Sequence, residues 1–290
     1  MSFWDVAIAP FVEFAFMRRA LVGSLALALG CAPLGIFLLL RRMSLMGDAI
    51  SHAILPGAAV GFVLAGMSLP ALSLGGFIAG LAVALAAGAT AQTTILQEDA
   101  TLAVFYLISL ALGVLLVSLK GSNVDLLHVL FGTVLALDDN TLLLLSGIAT
   151  VTLPLLAIIY RPLVMECFDP NFLRSVGGNG LLVHLVFLIL VVLNLVGGFQ
   201  ALGTLMAVGM MMLPAATARL WARTLDGMLA ISIPIAFLSG YLGLLLSYHL
   251  GLPSGPAIVL TAGGLFILSL LIAPQRGLLG HLRSLSHLEG

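Results

Sequence analysis

"RRMSLMGDAISHAILPG", residues 41–57, sets an aspartate and a histidine four positions apart where a pair of arginines gives way to a long apolar run. Upstream, Ala20–Leu40 is apolar over the ~20 residues that a membrane-spanning helix requires, longer than a signal-peptide core. Downstream, comparable runs recur at about 44–66, 69–91, 101–118, 141–160, 181–198, 201–218, 228–249 and 255–273. The whole chain of 290 residues carries 11 Lys and Arg and 12 Asp and Glu, with 61% hydrophobic side chains and a mean hydropathy of +1.24. A water-facing surface of that size would need far more charge, which excludes a soluble domain. The fold class expected is all-α, a polytopic membrane helical bundle of eight or nine transmembrane helices surrounded by lipid. The stretch "LLHVLFGTVLAL", residues 126–137, is too short to cross and reads as a re-entrant or interfacial helix.

Orientation follows from the basic residues. With the N-terminus outside, Arg41, Arg42, Arg161, Arg174, Arg219, Arg223, Arg276 and Arg283 lie inside, and Arg18, Arg19 and Lys120 outside. The excess favours N-out and C-in. In residues 1–17, Trp4, Ile8, Phe11 and Phe14 recur at helical spacing, which predicts an interfacial helix ahead of a transmembrane domain over 18–275 and a cytoplasmic tail over 276–290.

Several classes of function drop out. The few charges sit between apolar runs and build no basic face, so nucleic acid is not a partner. Cys31 and Cys167 are far apart and form no CxxC pair, which leaves neither a disulfide framework nor a thiolate metal site. The single lysine, Lys120, lies between Leu119 and Gly121, so the GK[ST] of a phosphate-binding loop is absent and energy for transport must come from elsewhere. The chain is not expected to be an enzyme: HExxH is missing, and Asp48 has no second intramembrane aspartate with which to form a dyad.

What remains is traffic across the membrane. Pro33, Pro56, Pro154, Pro214 and Pro234 fall inside apolar runs, where proline removes a backbone donor and bends the helix. Small residues at four-residue spacing, Gly57 with Gly61 and Gly76 with Gly80, let helices approach closely. Asp48 and His52 share one helix face, about 6 Å apart along the axis. An ionisable pair in a span usually faces a bundle interior or a pathway, and a carboxylate with an imidazole suits zinc, manganese or ferrous iron. The same spacing also fits a headgroup location, or an Asp48 that merely caps its helix.

Four stretches break this tie. "LLRRMSLMGDAISHAILPGAAVGF" (39–62), "LFGTVLAL" (130–137), "GTLMAVGMMMLPAATARL" (203–220) and "LPSGPAIVL" (252–260) resemble, in order and separation, the permease subunits of ABC-type importers for zinc, manganese and iron. The resemblance implies a homodimer that pairs with two copies of a cytoplasmic ABC ATPase subunit, which hydrolyse ATP, and with an extracytoplasmic metal-binding protein. The transported ion would be Zn2+ or Mn2+, with Fe2+ a third choice, and no cofactor would be bound permanently. It also implies that Asp48 and His52 are the metal ligands and that the location is a bacterial plasma or inner membrane. The loop "RPLVMECFDPNFLRSVGGNG", residues 161–180, would then be the ATPase coupling segment, with Phe168, Asp169, Pro170 and Phe172 forming a turn into a short amphipathic helix.

Weaker candidates remain. Asp125, His128 and His249 lie in the loops or span ends on the outer side and are possible entry guides for a cation. His184 falls near the inner end of its span, facing an exit or snorkelling. Met206, Met210, Met211 and Met212 read as flexible packing rather than soft-metal ligands. A gradient-driven secondary transporter is the rival reading, but DxxxH occurs once and no internal repeat is visible.

Overall fold

Hydropathy dictates the elements and packing dictates their order. The computed structural model describes residues 3–66, 68–119, 137–175 and 177–273, all of its regular secondary structure being helical. The helices are α1 (Phe3–Ala7), α2 (Ala9–Glu13), α3 (Ala15–Leu40), α4 (Met46–Ala53), α5 (Leu55–Ala65), α6 (Leu69–Thr93) and α7 (Glu98–Leu119). After them come α8 (Asp139–Phe168), α9 (Pro170–Ser175), α10 (Gly180–Leu202), α11 (Thr204–Trp221), α12 (Leu225–Leu250) and α13 (Ser254–Ile272). Among the described residues nine helical stretches are long and apolar enough to cross a membrane, with α4 and α5 counted together as the second. The chain is a multi-pass membrane protein.

Successive spans reverse direction and define two ends. One holds Arg41, the ends of α6 and α8 and the starts of α4, α7 and α10; the other holds Arg19 and the starts of α3 and α8. An Arg19–Asp139 ion pair of 3.0 Å ties α3 to α8 at the second end. There Asp138 caps α8 by accepting the Thr141 N–H at 3.0 Å, and hydrogen bonds from Thr141 hold its carboxyl below the ordinary carboxylate range.

The core forms around α3, which packs against α8, α10, α11 and α12. Its most hydrophobic window is 78% buried, against 17% for α6 and 22% for α7, so α6 and α7 face outward from the protomer. Met206, Met210 and Met211 are fully buried in that core, in keeping with a packing role. The expected close approaches occur: a side chain on Gly57 or Gly61 of α5 would meet backbone carbonyls of Gly75 and Ala71 on α6. Gly76 and Gly80 of α6 instead make room for side chains, Ile54 at the first and Val192 with Ile54 at the second.

The N-terminal segment is two short helices, α1 and α2, with Pro10 at the start of the second. It is tied to α12 at the Arg19 end. Tyr241 donates its hydroxyl to the Ala7 carbonyl at 2.8 Å, and Phe11 stacks on the Tyr241 ring at 5.1 Å. The predicted re-entrant helix, apart from Leu137, and the tail over 276–290 lie outside the described residues.

Candidate metal site

The turn that delivers Asp48 and His52 is built on an unusual residue. At the end of α3, Arg42 has φ 61°, its N–H bonds to the Leu39 carbonyl at 3.3 Å, and the Met43 N–H bonds to the Leu38 carbonyl at 2.9 Å. This is the helix-ending arrangement in which glycine normally takes the left-handed position, and an arginine there costs on the order of 1 kcal/mol. The chain reverses at once and enters α4. Met46, Gly47, Ile50 and Ala53 turn inward, while Asp48 and His52 lie on the outward face with side chains 61% and 28% exposed.

A break holds that face in place. Pro56 has no N–H to return to the His52 carbonyl, so the ladder is interrupted at Ile54 and the span divides into α4 and α5. Helix α7 braces the break with one stripe. Ser109 donates its hydroxyl to the Ala53 carbonyl at 3.0 Å, Gly113 leaves room for Pro56, and Tyr106 stacks on the His52 ring at 6.1 Å and 29°. His52 Nε2 stands 3.7 Å from Asp48 Oδ1, and its buried Nδ1 has no hydrogen-bond partner. Ligands on one first-row ion sit roughly 3.0–3.5 Å apart, so a small rotamer adjustment lets both atoms share an ion. The chain brings two such groups together here, and among the described residues no group of three or more His, Cys, Asp or Glu side chains converges to hold a metal.

A second polar cluster occupies the Arg41 end and was missed by sequence reasoning. Arg41 and Glu166 form an ion pair of 3.0 Å with side chains only 13% and 11% exposed. His184 lies beside them, its Nδ1 4.0 Å from Glu166 Oε1 and its Nε2 3.6 Å from Glu98 Oε1. The Arg41 guanidinium also sits 5.5 Å over the Phe187 ring. Charges at span ends ordinarily read as solvated; the available signal was that Glu98, Glu166 and His184 all fall at the same end of the bundle.

The other sequence candidates separate. Asp169 precedes α9 and accepts the Phe172 N–H at 3.0 Å, as a cap should. Pro170 begins α9, and Phe168 and Phe172 are 70% and 51% exposed, an aromatic pair on the surface at the Arg41 end. His249 bonds through Nε2 to the Val6 carbonyl at 2.9 Å, packs edge-on against Tyr248, and so fastens the N-terminal segment. Asp125 and His128 lie outside the described residues.

A lipid-embedded helical bundle, with an acid–imidazole pair on a broken second span and no nucleotide-binding loop in its sequence, defines the class of membrane permeases. The ABC 3 transport family matches residues 13–273, and the chain belongs to it. It is 35% identical over 264 residues to the manganese import system permease protein ScaB of Streptococcus parasanguinis, covering 91% of this chain and 93% of that one. The manganese transport system membrane protein MntC of Listeria monocytogenes is 35% identical over 268 residues, covering 92% and 94%. Among solved structures, PsaBC from Streptococcus pneumoniae in complex with Fab superposes with a TM-score of 0.82 at 33% identity, covering 93% of this chain and 96% of that one. The expected role as the translocating subunit of an ABC importer stands.

Proposed function

We propose that this permease carries Mn2+ inward, and that Asp48 and His52 are its ligands on the pathway. The observation that carries the reading is the outward-facing carboxylate–imidazole pair, 3.7 Å apart, on a helix that the Pro56 break and the α7 stripe hold in fixed orientation. The two relatives named above are manganese permeases by name, and the donor set agrees: a carboxylate and an imidazole without thiolate suit manganese, and also zinc or ferrous iron.

Two ligands hold an ion weakly. A two-fold dimer with α4 at the axis supplies Asp48 and His52 twice, an N2O2 set, and we assign the homodimer on that ground. The excess of arginines at the Arg41 end makes that end cytoplasmic, so the chain runs N-out and C-in. The exposed Phe168 and Phe172 on the Asp169-capped α9 then offer an aromatic plug for each of two ATPase subunits, which supply the ATP hydrolysis that this chain does not perform. An extracytoplasmic binding protein delivers the ion at the Arg19 end.

The test is accumulation of radioactive manganese, zinc and iron by cells expressing the permease with its partner subunits. Asp48→Ala and His52→Ala should each lower manganese accumulation at least tenfold at unchanged membrane level. Normal manganese accumulation in both variants overturns the assignment; loss of zinc or iron accumulation instead reassigns the cargo.

A further inference from the structure

A cavity of about 520 Å3 opens at the Arg41 end, and its lining includes Arg41, Gly88, Glu98, Glu166, Leu173 and His184. His184 is 8% exposed, and its ring nitrogens stand 3.6 and 4.0 Å from the nearest carboxylate oxygens, beyond ordinary hydrogen-bonding distance. Buried polar groups normally find partners, yet the buried Nδ1 of His184 has none within hydrogen-bonding distance, and the ring stands at the cavity wall with Nε2 on its Gly88 side.

We propose that Glu98 and His184 form a second divalent-cation site, separate from Asp48 and His52, with Glu166 and Arg41 as positioning residues. Three features converge on it. The separation of 3.6 Å between His184 Nε2 and Glu98 Oε1 suits two ligands of one ion. Gly88 of α6 faces both atoms: a Cβ added there would lie 3.9 Å from Nε2 and 4.0 Å from Oε1, so glycine leaves open the volume that they address. On the other edge of the ring, Nδ1 faces Glu166, which the Arg41 guanidinium holds at 3.0 Å. A metal-binding histidine commonly presents its second nitrogen to a carboxylate, and a shift of about 1 Å would bring Nδ1 into such a bond with Glu166.

The electrostatics agree. The carboxylates of Glu98 and Glu166 favour a cation here, and the arginine is engaged by Glu166 and by the Phe187 ring. Glu166 lies behind the imidazole, which keeps the three side chains from converging on a single point. The cavity leaves room for water to complete the coordination. The ion being the transported one rests on the proposed function; the existence of the site does not.

Pulsed electron paramagnetic resonance on the purified full-length chain with Mn2+ alone tests this. Run in a His52→Gln background, it is independent of whether Asp48 and His52 carry cargo. The expected result is one nitrogen-coupled Mn2+ per chain in His52→Gln, loss of that coupling in His52→Gln/His184→Gln, and at least tenfold weaker binding in His52→Gln/Glu98→Gln. Absence of nitrogen-coupled Mn2+ in His52→Gln overturns the site. So does coupling that survives His184→Gln, or affinity unchanged by Glu98→Gln. The glutamate-to-glutamine change preserves size and shape, so it decides the matter even where the His184 variant does not fold.

Discussion

The Asp48–His52 pair and the Arg41–Glu166–His184–Glu98 cluster hold similar chemical groups in opposite settings. The first comes from one helix and lies on its outward face, with Asp48 largely exposed and His52 stacked on Tyr106. The second joins α3, α7, α8 and α10 across the end of the bundle, with Arg41, Glu166 and His184 largely buried and Glu98 at the cavity wall, so each charge depends on the others. Similar donor groups thus sit on an open helix face in one place and at a junction of four elements in the other.

The largest effect should come from breaking the buried Arg41–Glu166 pair. Arg41→Met removes the guanidinium that stands 3.0 Å from the buried Glu166 carboxylate and should cost about 3–5 kcal/mol, while Asp48→Asn, on an exposed face, should cost less than about 0.5 kcal/mol. Thermal unfolding of the purified chain checks both, and Arg41→Met/Glu166→Met should recover much of the loss. Equal destabilisation by Arg41→Met and Asp48→Asn would erase the contrast.

Acidification sharpens it next. Imidazolium has no lone pair for a metal, and metal binding releases the proton, so lower pH opposes ligation. Manganese uptake at fixed free metal should fall on the order of tenfold between pH 7.5 and 5.5. A profile that is flat across that range would remove His52 from the ligand set. The smallest effect belongs to the brace. Tyr106→Leu removes a stacked pair worth about 0.5–1.5 kcal/mol and should raise the half-saturating manganese concentration about two- to twelvefold with maximal uptake kept. Unchanged saturation would mean that the ring is oriented by its own helix alone.

The contrast also explains what the sequence made legible. The spans were readable because length and hydropathy are local properties, and the DxxxH pair because four residues make one helical turn. The break was foreshadowed by Pro56, but its repair was not: nothing local links Ser109 to the Ala53 carbonyl. Arg42 in a left-handed turn defied the usual glycine signal. The buried cluster was least visible, since Arg41 and Glu166 are 125 residues apart and each, taken alone, looks like a charge at a helix end. His249 fits the same lesson: a histidine near the outer end of a span serves as a fastener for the first residues of the chain.

The glycine contact between α5 and α6 has a mechanical consequence. With Gly57 set against Gly75, and Gly61 against Ala71, backbone touches backbone and no layer of side chains lies between the two helices to shear. A tilt of α5 must then sweep α6 along as one stiff plate, which leaves the break at Ile54, beside Asp48 and His52, as the place for a hinge.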